Sequence, residues 1–313
     1  MVNNNKPLKS TRDGFGEAML ELGKKNQDIV VISADLAEST RVHHFAKRYP
    51  SRFVEVGVAE QNMMGVAAGL AIEGKIPFAT SFGAFNPGRN WDQLRVSVCY
   101  SNANVKIIGS HTGLSVGPDG ASHQALEDIA ITRPLPNLVV LAPADYKETK
   151  LATIAAAKHH GPVYIRFSRQ ASEIFTKGKF TIGQAQILLA GPDVTIVGYG
   201  PILNEALIAT RELAKKKIKV EVINSPSIKP LDEKTILKSA KKTGRVITIE
   251  DHQVIGGLGS AIAELLAEKM PTPMRMIGVR DQFGESGQAE QLWEKYQMTH
   301  PYIIKAVLEL IKK

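Results

Sequence analysis

Val56-Gly57-Val58-Ala59-Glu60-Gln61-Asn62-Met63-Met64-Gly65 opens an apolar, small-residue run with an acid. The run reads as a buried helix that starts at Glu60. An unpaired buried carboxylate is costly or takes up a proton, so stability alone is a poor reason to place one there. A short strand, Ile76-Pro77-Phe78-Ala79-Thr80, comes next, followed by Ser81-Phe82-Gly83-Ala84-Phe85. An acid held protonated beside an aromatic shelf suits a flat heteroaromatic ligand.

Outward from this helix–strand pair, short β-branched runs alternate with amphipathic stretches. Ile29-Val30-Val31-Ile32, Val105-Lys106-Ile107-Ile108, Leu138-Val139-Val140-Leu141, Val163-Tyr164-Ile165-Arg166, Val194-Thr195-Ile196-Val197 and Val246-Ile247-Thr248-Ile249 read as buried strands. Helical patterns cover Gly14 to Lys25, Asp145 to Lys158 and Asn204 to Lys216. Such alternation predicts βαβ units and an α/β class, with parallel or mixed sheets flanked by helices and ligands at the carboxyl ends of the strands. A polar, poorly periodic stretch near Ser172 to Ala190 separates two sets of units. The expected division is a first domain over 1–175, a linker over 176–190 and a second domain over 191–313.

The 313 residues suffice for two well-filled cores. No apolar run is long enough to cross a membrane, and the polar, lysine-bearing start does not resemble a signal peptide. The single cysteine, Cys99, excludes an intrachain disulfide and fits a reducing cytoplasm. It lies in Leu94-Arg95-Val96-Ser97-Val98-Cys99-Tyr100, a packed helical pattern that makes it a buried, inert thiol. The net charge of +8 is scattered or gathered in lysine clusters such as Lys215-Lys216-Lys217, without the interleaved aromatics of a nucleic-acid surface. Nucleic acid is one possible partner, and phosphorylated small substrates or an acidic partner subunit explain the positive surface at least as well.

A third stretch, Asp119-Gly120-Ala121-Ser122-His123-Gln124, completes a pattern with the Glu60 and Phe82 segments. Together they resemble the C-terminal portion of a transketolase: the pyrimidine-binding domain of a thiamine-diphosphate enzyme, then its third domain. The likeness runs from about Thr11 to nearly the end. Thiamine diphosphate must lose a proton from its thiazolium ring, and its own pyrimidine does this once a carboxyl group meets ring nitrogen N1′. The resemblance gives that task to Glu60 and implies that Phe82 and Phe85 receive the pyrimidine, an aromatic contact contributing about 0.5–1.5 kcal/mol beyond area burial. The family often has a further aromatic just beyond, where this chain has Asn86-Pro87-Gly88.

The resemblance also implies a sugar-phosphate site. Asp119 would contact sugar hydroxyls, and His123 would lie by the reacting carbon and assist proton transfers. Arg12, Ser39, His111 and Arg169 fall at positions that grip the phosphate, for which a guanidinium fork is well suited. Asp35 is expected to organise its loop, and His43 and His44 to lie on a solvated helical face. In the second domain, Glu250-Asp251-His252 precedes Gly256-Gly257-Leu258-Gly259. This reads as a tight turn packing a helix on a sheet, with a phosphate cradle as the alternative.

Families that use this cofactor hold its diphosphate through Mg2+ or Ca2+ with a Gly-Asp-Gly motif, which this sequence lacks. The implication is a split enzyme. A separate transketolase N-terminal subunit would carry the diphosphate and metal, with the two chains in a heterotetramer. The expected reaction is transfer of a two-carbon ketol unit from a ketose phosphate to an aldose phosphate, as in the pentose phosphate pathway. Alternatives are a subunit like deoxyxylulose-phosphate synthase, one like a 2-oxo-acid dehydrogenase β chain, and a non-catalytic regulatory subunit.

Overall fold

The computed structural model describes residues 8–312. The chain runs β1 (Lys9–Ser10), α1 (Thr11–Lys25), β2 (Ile29–Ser33), α2 (His43–Arg48), β3 (Phe53–Glu55), α3 (Glu60–Ile72), β4 (Ile76–Phe82) and α4 (Trp91–Gln93). It continues through β5 (Lys106–Ser110), α5 (Asp128–Thr132), β6 (Val139–Leu141), α6 (Tyr146–Lys158), β7 (Val163–Phe167) and β8 (Ala171–Ser172). The later half comprises β9 (Gln186–Leu189), β10 (Val194–Gly198), α7 (Leu203–Lys215), β11 (Val220–Asn224), β12 (Ser227–Lys229) and α8 (Glu233–Thr243). It ends with β13 (Val246–Gln253), α9 (Leu258–Lys269), β14 (Met274–Val279), α10 (Ala289–Lys295) and α11 (His300–Ile311).

A seven-stranded sheet has the order β12-β6-β7-β5-β4-β2-β3, and a five-stranded sheet the order β14-β13-β10-β11-β9. Both are parallel except at one edge, where β12 and β9 run antiparallel to their neighbours. The α/β expectation is therefore correct, and the strands named from sequence lie within β2, β5, β6, β7, β10 and β13, give or take an end residue. The strands β2, β5, β7 and β10 are buried along their whole length, as sheets covered on both faces require.

Caps set the helix starts. The Ser10 hydroxyl accepts from the amide of Asp13 at the head of α1, and the Asp145 carboxylate accepts from that of Glu148 at the head of α6. Asp145 also accepts from the amides of Phe175 and Thr176, so one carboxylate ties a helix start to the chain leaving the first sheet.

One apolar cluster extends from Met63 and Ile107 to Val197, Ile223 and Leu258, so the two sheets share a core. Each large side chain fully buried there contributes about 1.5–3 kcal/mol. At the seam, Arg166 lies with its Nε 3.1 Å from Asp128 Oδ2, donates to the Tyr199 hydroxyl, and donates to the Asp251 carbonyl at 3.0 Å. Tyr164 donates to Asp128 at 2.7 Å.

The helix at Glu60 departs from expectation on one face. Glu60, Met63, Met64, Ala67 and Ala68 are buried, whereas Gln61, Asn62, Gly65, Gly69 and Ile72 are exposed. An apolar helix without a polar stripe is normally covered all round. Here the single chain covers only one side. Cys99 is buried as expected, within a π-helical stretch, Leu94–Tyr100, and burial pushes its thiol up to about 12.

Candidate active site

The carboxyl ends of β2, β4, β5 and β7 stand side by side and carry, in turn, the segments that begin at Ala34, Gly83, His111 and Ser168. Ligands of open parallel sheets bind at such an edge. Three residues here, Asp35, Arg41 and His111, hold positive φ angles of 59°, 69° and 56°. Non-glycine residues in this region concentrate at functional sites.

Glu60 is 3 % exposed at the start of α3. Its Oε1 accepts from the Ser81 hydroxyl at 3.2 Å, and its Oε2 lies 3.1 Å from Nη1 of Arg89. The carboxyl group is thus not the unpaired acid that its apolar surroundings suggest. The rings of Phe82 and Phe85 stand nearly parallel, interplanar angle 19° and centroids 6.2 Å apart. His111 stacks on Phe82 at 4.1 Å. His123 presents its edge to Phe85 at 5.2 Å and to Phe82 at 6.2 Å. Its Nδ1 lies 2.9 Å from the Ser122 hydroxyl. Where the family often has a further aromatic, Asn86 is a buried structural tie. Its amide donates to the carbonyls of Ala79 and Ile108, both at 3.0 Å.

A cationic group adjoins this shelf. The two-stranded pairing of β1 with β8, together with the Thr11 hydroxyl donating to the Ser168 carbonyl at 2.5 Å, brings Arg12 and Arg169 together. Arg12 reaches the Ser39 carbonyl at 3.5 Å, and its Nε is buried with no partner among the described residues, as expected of a donor aimed at an anion. Arg41, which the motifs did not single out, joins them and pairs with Asp13 at 2.7 Å. Burial first, then Arg12, Arg169, Arg41 and His123, lower His111 to about 3, so it is neutral at physiological pH. Burial and the neighbouring Arg41 and Arg169 likewise lower Arg12.

The structure therefore brings together Glu60, Phe82, Phe85, His111 and His123, and beside them Arg12, Ser39 and Arg169. Asp119 it leaves exposed on its loop. Asp35 is held by its own amide, which donates to Glu55 at 2.7 Å. His43 is half-buried and His44 exposed, their rings 3.8 Å apart. The glycine turn before α9 is closed to phosphate, because Glu250 already accepts from the amides of Leu258 and Gly259 at 2.7 and 2.8 Å. A Cβ on Gly257 would fall 2.1 Å from that carboxylate. Arg89, Arg41 and Ser81 escaped the sequence reading. Only Arg89 had a local signal, an arginine just past the aromatic shelf.

At the carboxyl edge of the parallel sheet, Arg89 links the buried Glu60 carboxylate to the Phe82–Phe85 shelf. The comparisons with known proteins name the family. Residues 8–173 match the family of the transketolase pyrimidine binding domain, and residues 183–303 that of the transketolase C-terminal domain. A Methanocaldococcus jannaschii protein provisionally described as a transketolase C-terminal section is 46% identical, with 97% of each chain covered. The 6-deoxy-6-sulfo-D-fructose transketolase subunit SqwH of Clostridium sp. strain MSTE9 is 44% identical, covering 96% of this chain and 94% of that one. A solved split-gene transketolase, an inactive beta4 tetramer, superposes with a TM-score of 0.90 at 45% identity, covering 97% of this chain and 98% of that one. The chain belongs to the transketolase family and corresponds to its C-terminal section.

Proposed function

We propose that this chain is the C-terminal subunit of a split transketolase that moves a two-carbon ketol unit from a ketose phosphate to an aldose phosphate. In this reading residues 1–175 form the pyrimidine-binding domain, 176–190 the linker and 191–313 the C-terminal domain. The observation that carries the reading is the buried Glu60 carboxyl beside the Phe82–Phe85 shelf, with His123 edge-on to both rings. That donor and acceptor set fits an aminopyrimidine.

Thiamine diphosphate, when bound, would supply the carbanion chemistry of ketol transfer. This chain's part is to hold and prepare. Glu60 would meet the pyrimidine nitrogen and share a proton with it there. Phe82 and Phe85 fix the ring plane and keep water out. His123 moves a proton at the reacting carbon, and Asp119 meets sugar hydroxyls when its loop closes. Arg12, Ser39, His111 and Arg169 hold the phosphate. The unpartnered Arg12 Nε supports that assignment, and Arg41 adds positive charge to it.

Diphosphate and its Mg2+ or Ca2+ belong to an N-terminal subunit in a heterotetramer. Exposed large apolar side chains at both ends of α3, Ile72 at 71 % and neighbouring Val58 at 68 %, on a face that also carries Gln61, Asn62 and two glycines, support a partner beside Glu60. The inactive tetramer of the 45%-identical relative supports a chain inactive by itself. The cationic group favours phosphorylated donors over pyruvate. No helix among the described residues is long and apolar enough to cross a membrane.

Mixing the purified chain with an N-terminal subunit tests the reading. Ketol transfer from a ketose phosphate is expected only from the mixture, and Glu60→Ala should abolish it. Transfer by the chain alone refutes the split, and full turnover by Glu60→Ala refutes the site.

A further inference from the structure

The loop from Thr112 to Gln124 carries Asp119 and His123, follows His111, and lies on the seven-stranded sheet. Its shape is set largely from elsewhere. Asp251, at the carboxyl end of β13 in the other sheet, points both carboxylate oxygens into it. Oδ1 accepts from the amide of Leu114 at 2.8 Å and Oδ2 from that of Ser115 at 3.3 Å. These amides begin the tight turn Leu114–Val116. The fit is close: Gly113 has φ 79°, and a Cβ there would fall 2.3 Å from Asp251 Oδ2. Ser115 secures the turn to the sheet, its hydroxyl donating to the Thr112 carbonyl at 2.8 Å and lying 2.8 Å from that of Ser168. The turn's last carbonyl, on Val116, accepts from Nη1 of Arg169 at 3.4 Å. At the loop's far end, Gln124 donates to the carbonyl of Glu285 at 2.9 Å.

We propose that Asp251 is a positioning residue for the phosphate end of the sugar-phosphate site, acting from the C-terminal domain through the Leu114–Val116 turn on Arg169. A carboxylate accepting from successive amides is a strong, geometrically demanding anchor, and its two oxygens are spent on the backbone of the turn. This gives the C-terminal domain a task in donor recognition. The inference rests on the reading of His111 and Arg169 given above.

Asp251→Asn keeps the side chain's size and removes its charge and one acceptor. Asp251→Glu keeps both oxygens and serves as the rescue. In the complex reconstituted with an N-terminal subunit, kcat/KM for a ketose phosphate donor should fall roughly 10- to 100-fold in Asp251→Asn, the range for losing hydrogen bonds to a charged group. Most of the fall should lie in KM. The loss for hydroxypyruvate, which has no phosphate for Arg169 to meet, should be far smaller, and thiamine-diphosphate affinity should not change. Asp251→Glu should recover part of the phosphate-donor loss. An equal loss for both donors, or a matching loss of cofactor affinity, overturns the proposal. Hydrogen exchange on the full chain gives a readout independent of turnover: Asp251→Asn should accelerate exchange in the Leu114–Val116 turn and spare β4 and β5. If exchange in that turn is unchanged, the proposal fails whatever the kinetics show. A wild-type complex inert toward every donor refutes the functional reading instead, and the exchange result still decides whether Asp251 holds the turn.

Discussion

Arg89 closes over Glu60. Its Nη1 lies 3.1 Å from Oε2, and its guanidinium stacks 4.0 Å from the centroid of Phe85. A planar, cationic donor array thus engages the same carboxylate and aromatic face that an aminopyrimidine would require. Arg89 is 48 % exposed and Glu60 3 %, so the ion pair is half-solvated.

The first prediction follows from that overlap. In Arg89→Ala the free chain retains a buried carboxylate without its cation, and solvent access limits the penalty to about 1 kcal/mol. Bound pyrimidine would relieve that penalty, so the reconstituted complex should bind thiamine diphosphate roughly fivefold more tightly. Thermal melts without cofactor and a cofactor titration check the two halves. Equal affinity in the two proteins would show that Arg89 does not compete for the site.

His111 supplies a pH prediction. Its folded value of about 3 lies below the ordinary 6.5, so the unfolded chain binds the extra proton between them. The stability this confers is complete above about 6.5 and is lost as pH falls toward 3. Donor kinetics at pH 5 to 9 should therefore show no inflection from His111. His111→Asn should raise KM for a phosphorylated donor about tenfold and leave the shape of the pH profile alone. A limb that disappears in the variant would contradict a neutral His111.

Glu148 behaves in the opposite sense. It lies in α6 and receives the Asn224 amide of β11 at 2.8 and 3.0 Å and the amide of Ala144 at 2.7 Å. Burial raises it from 4.5 to about 7, against the pull of those hydrogen bonds. The folded chain holds the extra proton, so the contribution is complete below about 4.5 and lost as pH rises through 7. Within that window each pH unit costs about 1.4 kcal/mol. Glu148→Gln removes the titration, so its stability relative to wild type should improve from pH 5 to pH 8. Denaturant melts at both pH values measure this, and a constant difference would show that Glu148 does not titrate there.

The buried seam offers a stability test. Arg166→Met removes the cation that faces Asp128 and leaves that buried carboxylate the Tyr164 hydroxyl as hydrogen-bond donor, with His252 Nε2 4.0 Å away. Breaking such a pair costs about 3–5 kcal/mol. The double variant Arg166→Met with Asp128→Leu should recover much of the loss. Denaturant midpoints of wild type, the single variant and the double variant decide it. Failure to recover would mean that Arg166 acts mainly through Tyr199 and the Asp251 carbonyl.

Glu60, Phe82, Phe85 and His123 were legible in the chain because each sits in a short motif that carries the family likeness; Glu60 also marks a helix start and Phe82 a strand end, whereas His123 lies in a loop. Arg12 and Arg169 are far apart in sequence and were found only through the family likeness; the pairing of Lys9–Ser10 with Ala171–Ser172 supplies the physical reason that they meet. Arg41 left no such mark, and Asp251 stood out only as part of Glu250-Asp251-His252, ahead of a turn that packs a helix on a sheet. The Asp251 contact to Leu114 joins positions 137 residues apart, and no local periodicity encodes it. The exposed side of α3 was misread for a related reason. A helix apolar on every face shows that something must cover it, not that its own chain does.

Strand β12 comes from the later part of the chain yet completes the edge of the seven-stranded sheet beside β6. A cut at residue 180 would leave a bare, adhesive rim on one fragment and a stranded peptide on the other. A swap of halves among relatives there would instead dock one parent's Ser227–Lys229 on the other parent's β6, so the fit of that rim decides whether the hybrid clumps before its chemistry can be assayed.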